Sequence, residues 1–237
     1  MEKAPKAPSV IRGVFVLAVI IVCVATLGVV LALRHSKASS TTVQSPTPVV
    51  APTTLPYSAR PGPNDTKILT EPVDPLTLAV PSSWTSPSAD PLTLEDEINR
   101  FAGDAPALEA LLKAEGAVAG KSAIRLFAYQ PVAPHAFVSV ISFSTPGVKD
   151  LSAATVNAIS AAAKLKIKNV AVTGVQLPVG PALKLDSSLV SHKQPVVVET
   201  LVLIVGGRSL LIEMVSETNT AGVPAVFDQI AQSLRLG

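Results

Sequence analysis

The chain has 237 residues, a formal net charge of +2 and 48% hydrophobic residues, enough for one domain with its own core. Residues 1–65 hold six Lys/Arg (Lys3, Lys6, Arg12, Arg34, Lys37, Arg60) against Glu2 and Asp65, a net +4, which leaves −2 for the remainder. The positive balance belongs to the N-terminal part, so the body lacks the basic patch that nucleic-acid binding requires. The single cysteine, Cys23, excludes a disulfide, a thiol nucleophile and a thiolate metal site from the body.

Gly13 to Leu33 (GVFVLAVIIVCVATLGVVLAL) contains no charge and lies between Arg12 and Arg34. About 20 apolar residues in a helix cross a hydrocarbon core of about 30 Å. A cleaved signal peptide has a shorter apolar region and a small-residue cleavage site, whereas this run ends in Leu31-Ala32-Leu33-Arg34-His35. Cys23 sits mid-span after Ile20-Ile21-Val22, which does not fit a lipoprotein signal. The flanking cations favour a cytoplasmic N-terminus.

Ser36 to Asp65 is rich in Ser and Thr and carries Pro46, Pro48, Pro52, Pro56, Pro61 and Pro63. Proline removes backbone donors and fixes φ, so the segment reads as a semi-extended spacer. The expected organisation is a cytoplasmic N-terminus (1–12), a single transmembrane helix (13–33), a spacer (34–66) and an extracytoplasmic domain (67–237).

In that domain Leu76 to Val80 alternates and stops at Pro81, which predicts a short strand and a turn. Trp84 follows, and either plugs an edge of the core or offers an aromatic contact to a partner. Thr93 begins a capping-box-like pattern, with Leu94, Ile98 and Phe101 at helical spacing. Asp104 and Pro106 open a second helix with Leu108, Leu111 and Leu112 on one face, ending near Glu115. Strands are predicted over Ile124–Ala128 and Phe137–Phe143, then a helix over Leu151–Leu165. Lys164, Lys166 and Lys168 fit a solvated helix end. Val170, Val172 and Val175 form another strand. Leu177-Pro178-Val179-Gly180-Pro181 is a rigid turn, and Ala182–Asp186 returns as a strand.

Val196 to Val205 is apolar on both faces apart from Glu199 and Thr200, which places it centrally in a sheet. Gly206-Gly207 is a hairpin turn and Leu210–Val215 its antiparallel partner. Val223, Phe227, Ile230 and Leu234 mark a closing helix. The fold class is α+β: a mainly antiparallel sheet with helices packed on it.

Catalytic patterns are not found. Gly116 to Ser122 (GAVAGKS) is one residue short of a phosphate-binding loop and follows a helix instead of opening one. His135 and His192 lie in loops without carboxylate or cysteine partners at ligand spacing. Glu199 and Glu213 are expected to face one another across the terminal hairpin, on its solvent face.

Three segments carry a resemblance. Leu78-Ala79-Val80-Pro81-Ser82-Ser83-Trp84 resembles the strand-Pro-x-x-Trp opening of actinobacterial LpqN-type exported proteins, which have the PsbP-like fold. Val175 to Ala182 (VQLPVGPA) is similar to their Leu-Pro-x-Gly turn, and Phe227 to Arg235 (FDQIAQSLR) to their closing helix. The resemblance covers Leu76 to the C-terminus. It implies a PsbP-like fold, a bacterial envelope location and protein partners, with no catalytic residues, no cofactor and no metal. The helical pair and the uncleaved anchor depart from a plain lipoprotein pattern.

The function expected is that of a membrane-anchored, non-catalytic domain binding an envelope protein, with Trp84, Leu177, Pro178, Val179, Gly180 and Pro181 as candidate partner-binding residues. The alternative is a carrier of a small apolar or lipid ligand between sheet and helices, which needs a cavity of about 300 Å³ or more.

Overall fold

Apolar side chains on both faces of a central sheet, and on one face each of a second sheet and of the helices, assemble the body in three layers. The computed structural model describes residues 58–71, 76–87, 91–119, 124–144, 171–205, 208–217 and 222–236. The predicted span Gly13–Leu33 and the helix expected over Leu151–Leu165 lie outside the described residues. Among the described residues no helix is long and apolar enough to cross a membrane.

The described residues open with β1 (Ser58–Pro61), β2 (Thr66–Thr70) and β3 (Leu76–Pro81). Two helices follow, α1 (Pro91–Asp104) and α2 (Glu109–Ala119). Next come β4 (Ile124–Gln130), β5 (Ala136–Ser144), β6 (Ala171–Leu177), β7 (Gly180–Ser191), β8 (Gln194–Val205) and β9 (Arg208–Glu217). Helix α3 (Val223–Ser233) and the short β10 (Arg235–Leu236) close the fold.

The strands form a four-stranded sheet, β1-β2-β3-β10, and a six-stranded sheet, β4-β5-β9-β8-β7-β6. Every pairing between these strands is antiparallel. Strand β8 is interior, as its two apolar faces require. One face of the large sheet, with Val138, Val140, Leu201, Leu203, Ile212 and Met214, packs on the small sheet and on Phe227, Ile230 and Leu234 of the α3 region. The opposite face, with Phe127, Phe137, Ile141, Val198, Leu211 and Val215, packs on Leu94, Ile98, Phe101, Leu108 and Leu112 of the helical pair. Burying each such side chain is worth about 1.5–3 kcal/mol relative to exposure, so the two interfaces dominate the stability of the body.

Two expectations are corrected by this arrangement. Residues 58–66 are not spacer: β1 pairs with β2 from Ser58↔Thr70 to Pro61↔Lys67, so a boundary at Lys67 falls inside the folded body. Pro61 is tolerated because it ends an edge strand, where no ladder donor is needed. Glu199 and Glu213 do not face each other either. The register is Glu199↔Met214 and Thr200↔Glu213, which sends the two carboxyls to opposite faces of the sheet. Both are buried, Glu199 at 6% and Glu213 at 3% exposure, instead of lying on a solvent face.

Gly116 closes a helix contact. A Cβ there would meet Asn99 Oδ1 at 3.1 Å, so this glycine lets α1 and α2 approach. It lies inside α2, and the phosphate-loop reading of its neighbourhood gains nothing from that setting.

Candidate functional site

The Leu177–Pro181 segment is the hairpin turn joining β6 to β7. Leu177 pairs with Gly180, leaving Pro178 and Val179 as the two turn residues. Proline presets φ for such a corner. Gly180 has φ of +125°, a conformation that side chains with a Cβ rarely adopt. The turn is tied down from below. Leu177 is buried and Val179 packs against the core layer shared with the small sheet. Pro178 and Pro181 are exposed.

Trp84 lies in that same core layer at 3% exposure. Its N–H donates to the Pro81 carbonyl at 3.0 Å, and Lys67 Nζ donates to the Trp84 carbonyl. Partial burial lowers the Lys67 pKa from its ordinary value. The ring plugs an edge of the core and leaves no face of the indole for a partner. Of the six candidate residues, Pro178 and Pro181 therefore supply the fully exposed surface, with Val179 and Gly180 half-exposed between them.

The turn continues into an open sheet edge. Among the described residues strand β6 is the last strand of the large sheet, paired on one side with β7. Its seven residues, Ala171-Val172-Thr173-Gly174-Val175-Gln176-Leu177, carry no charge; Ala171, Thr173, Gly174 and Gln176 are exposed, while Val172 and Val175 are half-buried and Leu177 is buried. Unpaired N–H and C=O groups along such an edge template another strand, and folded proteins usually blunt them with charge, proline or a cover. The opposite edge, β4, is covered at one end: Thr85 and Tyr129 exchange both backbone hydrogen bonds at 2.8 Å. Among the described residues no strand pairs with the outer side of β6.

Polar groups gather at three places inside the body. The first is under the helical pair. Register places Ser139, Glu213 and Thr200 side by side on β5, β9 and β8, all buried, and Glu115 of α2 meets Glu213 there. Burial pushes the Glu115 carboxyl up to about 7, against the hydrogen-bonding pull of Ser139 and Glu213. Burial, then the charge of Glu115, raises Glu213 well above the ordinary carboxylate range.

The second cluster surrounds Lys184 on β7. Its Nζ lies 2.7 Å from Glu199, 3.6 Å from Asp186 and 3.9 Å from Asp228 of α3. Burial depresses the lysine pKa, but the Glu199, Asp186 and Asp228 carboxylates together outweigh it and the net shift is upward. For Glu199 burial dominates, and its pKa rises despite Lys184.

The third joins α1 to one end of the large sheet. Phe101 stacks on Tyr129 at 4.1 Å between centroids and meets His135 edge-on at 5.7 Å. Tyr129 Oη donates to Glu97 Oε1 at 2.6 Å, and Arg100 bridges to the same carboxylate. Burial, with Glu97 beside it, raises the Tyr129 pKa. His135 Nδ1 lies 3.0 Å from Glu217 Oε2.

Sequence reading named His135, Glu199 and Glu213 but not their partners, which are remote. Glu217 is 82 residues from His135, and Glu115 reaches Glu213 only through the packing of α2 on the sheet. The sequence signals were Glu199 and Glu213, each a carboxylate in a strand that is otherwise largely apolar. No group of three or more His, Cys, Asp or Glu suited to a metal ion occurs among the described residues.

No known family description matches this chain, and no curated protein does. Solved structures to which it is similar include LpqN of Mycobacterium tuberculosis, described as involved in cell envelope biogenesis, at 12% identity and a TM-score of 0.41, covering 69% of this chain and 83% of that one. The Ran-binding protein Mog1p of Saccharomyces cerevisiae is similar at 9% identity and a TM-score of 0.43, covering 72% and 95%. The cyanobacterial PsbP of Synechocystis sp. PCC 6803 is similar at 13% identity and a TM-score of 0.43, covering 74% and 95%. Both kinds of protein in the sequence resemblance, LpqN and PsbP, are thus among its structural neighbours.

Proposed function

We propose that this protein is a non-catalytic binding module, held at a bacterial cell membrane by Gly13–Leu33, whose extracytoplasmic body recognises an envelope protein. The observation that carries the reading is the uncharged, exposed outer edge of β6 running into the Pro178–Pro181 corner. Main-chain donors and acceptors along the edge supply affinity to an extended segment. The preset turn limits the entropy lost on docking.

The carrier reading is less well supported. Between the large sheet and the helical pair the layer is filled by side chains, with Phe127 lying 5.9 Å from Tyr129 and 5.7 Å from Phe137 between ring centroids. Two carboxyls share that layer, which suits an apolar ligand poorly.

The test is retention of crosslinked partners by membrane-extracted protein. Thr173→Lys places a charge on the edge and Gly174→Pro removes a backbone donor from its outer side, since the Val175 N–H is taken up by the pairing with Ala182. Loss of the same partner in both, with an unchanged melting temperature for Thr173→Lys, supports the reading. Full retention in both rejects the β6 edge. Release of the body from membranes by carbonate rejects the anchor.

A further inference from the structure

The helix-facing layer of the large sheet holds a polar stripe that its apolar surroundings do not explain. Ser139, Glu213 and Thr200 stand abreast on three adjacent strands, with exposures of 0%, 3% and 4%. Glu115, at 4% exposure, comes down on them from α2. Leu111 and Leu112 precede Glu115 on the buried side of α2, and Leu211 and Val215 flank Glu213 on its own face of β9.

Two carboxyls brought together out of water cannot both stay ionised. The hydrogen bond between them requires a proton. It favours the charged form of Glu115 and the neutral form of Glu213, so Glu213 donates and Glu115 accepts. The arrangement is also incomplete. Ser139 lies beside Glu115 and helps its charged form, yet the Ser139 hydroxyl and Glu115 Oε2 are buried without a hydrogen bond of good geometry.

No element around the pair sets a compensating cation against it among the described residues. On α2 itself, Lys113 points outward and bonds Glu109 at 2.6 Å. On α1, Arg100 is committed to Glu97, and Glu95, Asp96 and Asp104 are acidic. On β4, Arg125 is half-buried and its Nε is unpartnered, while Tyr129 is bonded to Glu97. At the ends of the neighbouring strands, His135 and Glu217 hold each other and Arg208 lies at the far end of β9. On β8, Glu199 faces the other layer with Lys184. Among the described residues no cation contributes to the environment of either carboxyl.

We propose that the Glu115–Glu213 pair is a proton-operated clasp: protonated, it lets α1 and α2 lie closed on the sheet, and on losing its proton it releases them. The rest of the body stays folded, because the small sheet and α3 pack on the opposite face. Proton binding is favoured in the closed state, so the open state gains as pH rises. Between the ordinary carboxylate pKa of 4.5 and about 7 for Glu115, the closed-to-open ratio falls about tenfold per pH unit for each proton released on opening.

The test is hydrogen–deuterium exchange on the full-length protein from about pH 5.5 to about pH 8.5, corrected for intrinsic exchange rates. Protection across residues 91–119 is expected to fall at least about tenfold over this range, with β7 and β8 unchanged. Glu115→Gln combined with Glu213→Gln keeps the shape, removes both titrating carboxyls and should abolish the fall. Glu213→Gln alone keeps a donor toward Glu115 and should shift the fall along the pH axis. Equal protection at both ends in the wild-type chain overturns the clasp, as does a fall that persists unchanged when both glutamates are replaced by glutamine. Recovery of protection on adding calcium or magnesium at high pH overturns it too, since the pair would then be a cation site.

Discussion

His135 and Glu217 hold each other through three contacts across 82 residues of chain. The His135 backbone N–H donates to Glu217 Oε2 at 3.0 Å, and Nδ1 lies 3.0 Å from the same oxygen. Glu217 returns its own N–H to the His135 carbonyl at 2.9 Å. The pair fastens the loop before β5 to the end of β9. Phe101 covers the imidazole from α1. Glu217→Ala removes the acceptor for two donors and is expected to cost about 1–3 kcal/mol. Glu217→Gln keeps an oxygen for the backbone N–H and should cost less. Urea denaturation of both variants gives the comparison, and an equal loss in both would mean that packing, not the acceptor, holds the loop.

The folded body needs the strand assigned from sequence to the spacer. A protein beginning at Ser58 retains β1, whereas one beginning at Lys67 leaves the outer side of β2 unpaired and removes Thr66, whose hydroxyl donates to the Pro63 carbonyl at 2.6 Å. The shorter form is expected to lose at least about 2 kcal/mol, several backbone hydrogen bonds at about 0.5–1.5 kcal/mol each being offset by chain entropy. Matching melting curves for the two forms would show that β1 adds nothing to the core.

The β7–β8 hairpin turns through His192 and Lys193, both at positive φ, +49° and +65°. Two-residue turns of this kind favour Asn-Gly, because residues with a Cβ are strained there. Lys193→Gly, alone or with His192→Asn, should raise stability by about 1 kcal/mol. A lower melting temperature for the double variant would show that the two side chains make compensating contacts.

Sequence periodicity was sufficient where a strand or helix has one dry side. The paired helices, the interior β8 and the stripe Phe227–Ile230–Leu234 were legible for that reason. β1 and β2 were not, since prolines and short alternation over residues 58–70 carry the same local signal as a spacer. The candidate turn was legible through Pro178 and Gly180, residues whose backbone preferences are local. The depth of Trp84 was not, because burial depends on what folds over it. The two glutamates of the terminal hairpin show the limit most clearly: a register shift of one residue decides whether they meet or point to opposite faces.

Lys184 links three elements through charge, and the link has a definite pH signature. Its Nζ sits 2.7 Å from Glu199 and within 3.9 Å of Asp228 on α3. Glu199 is mostly buried, and burial already raises its pKa while Lys184 pulls it down. Replacing Lys184 by Met removes that pull, so the Glu199 pKa climbs further. A raised carboxyl pKa means that the folded state holds its proton more tightly than the unfolded chain. Its contribution is fully present below the unfolded pKa and lost as pH rises through the folded one. Lys184→Met should therefore be close to neutral at about pH 4, where Glu199 is protonated, and cost about 1–3 kcal/mol at about pH 8. Adding Glu199→Leu removes the stranded carboxylate and should recover most of the loss, since apolar replacements of an ion pair are often neutral or stabilising. Denaturation of the single and double variants at both pH values reads the cycle. A loss at about pH 4 as large as that at about pH 8 would assign the effect to the lysine stem packed along β7, not to its charge.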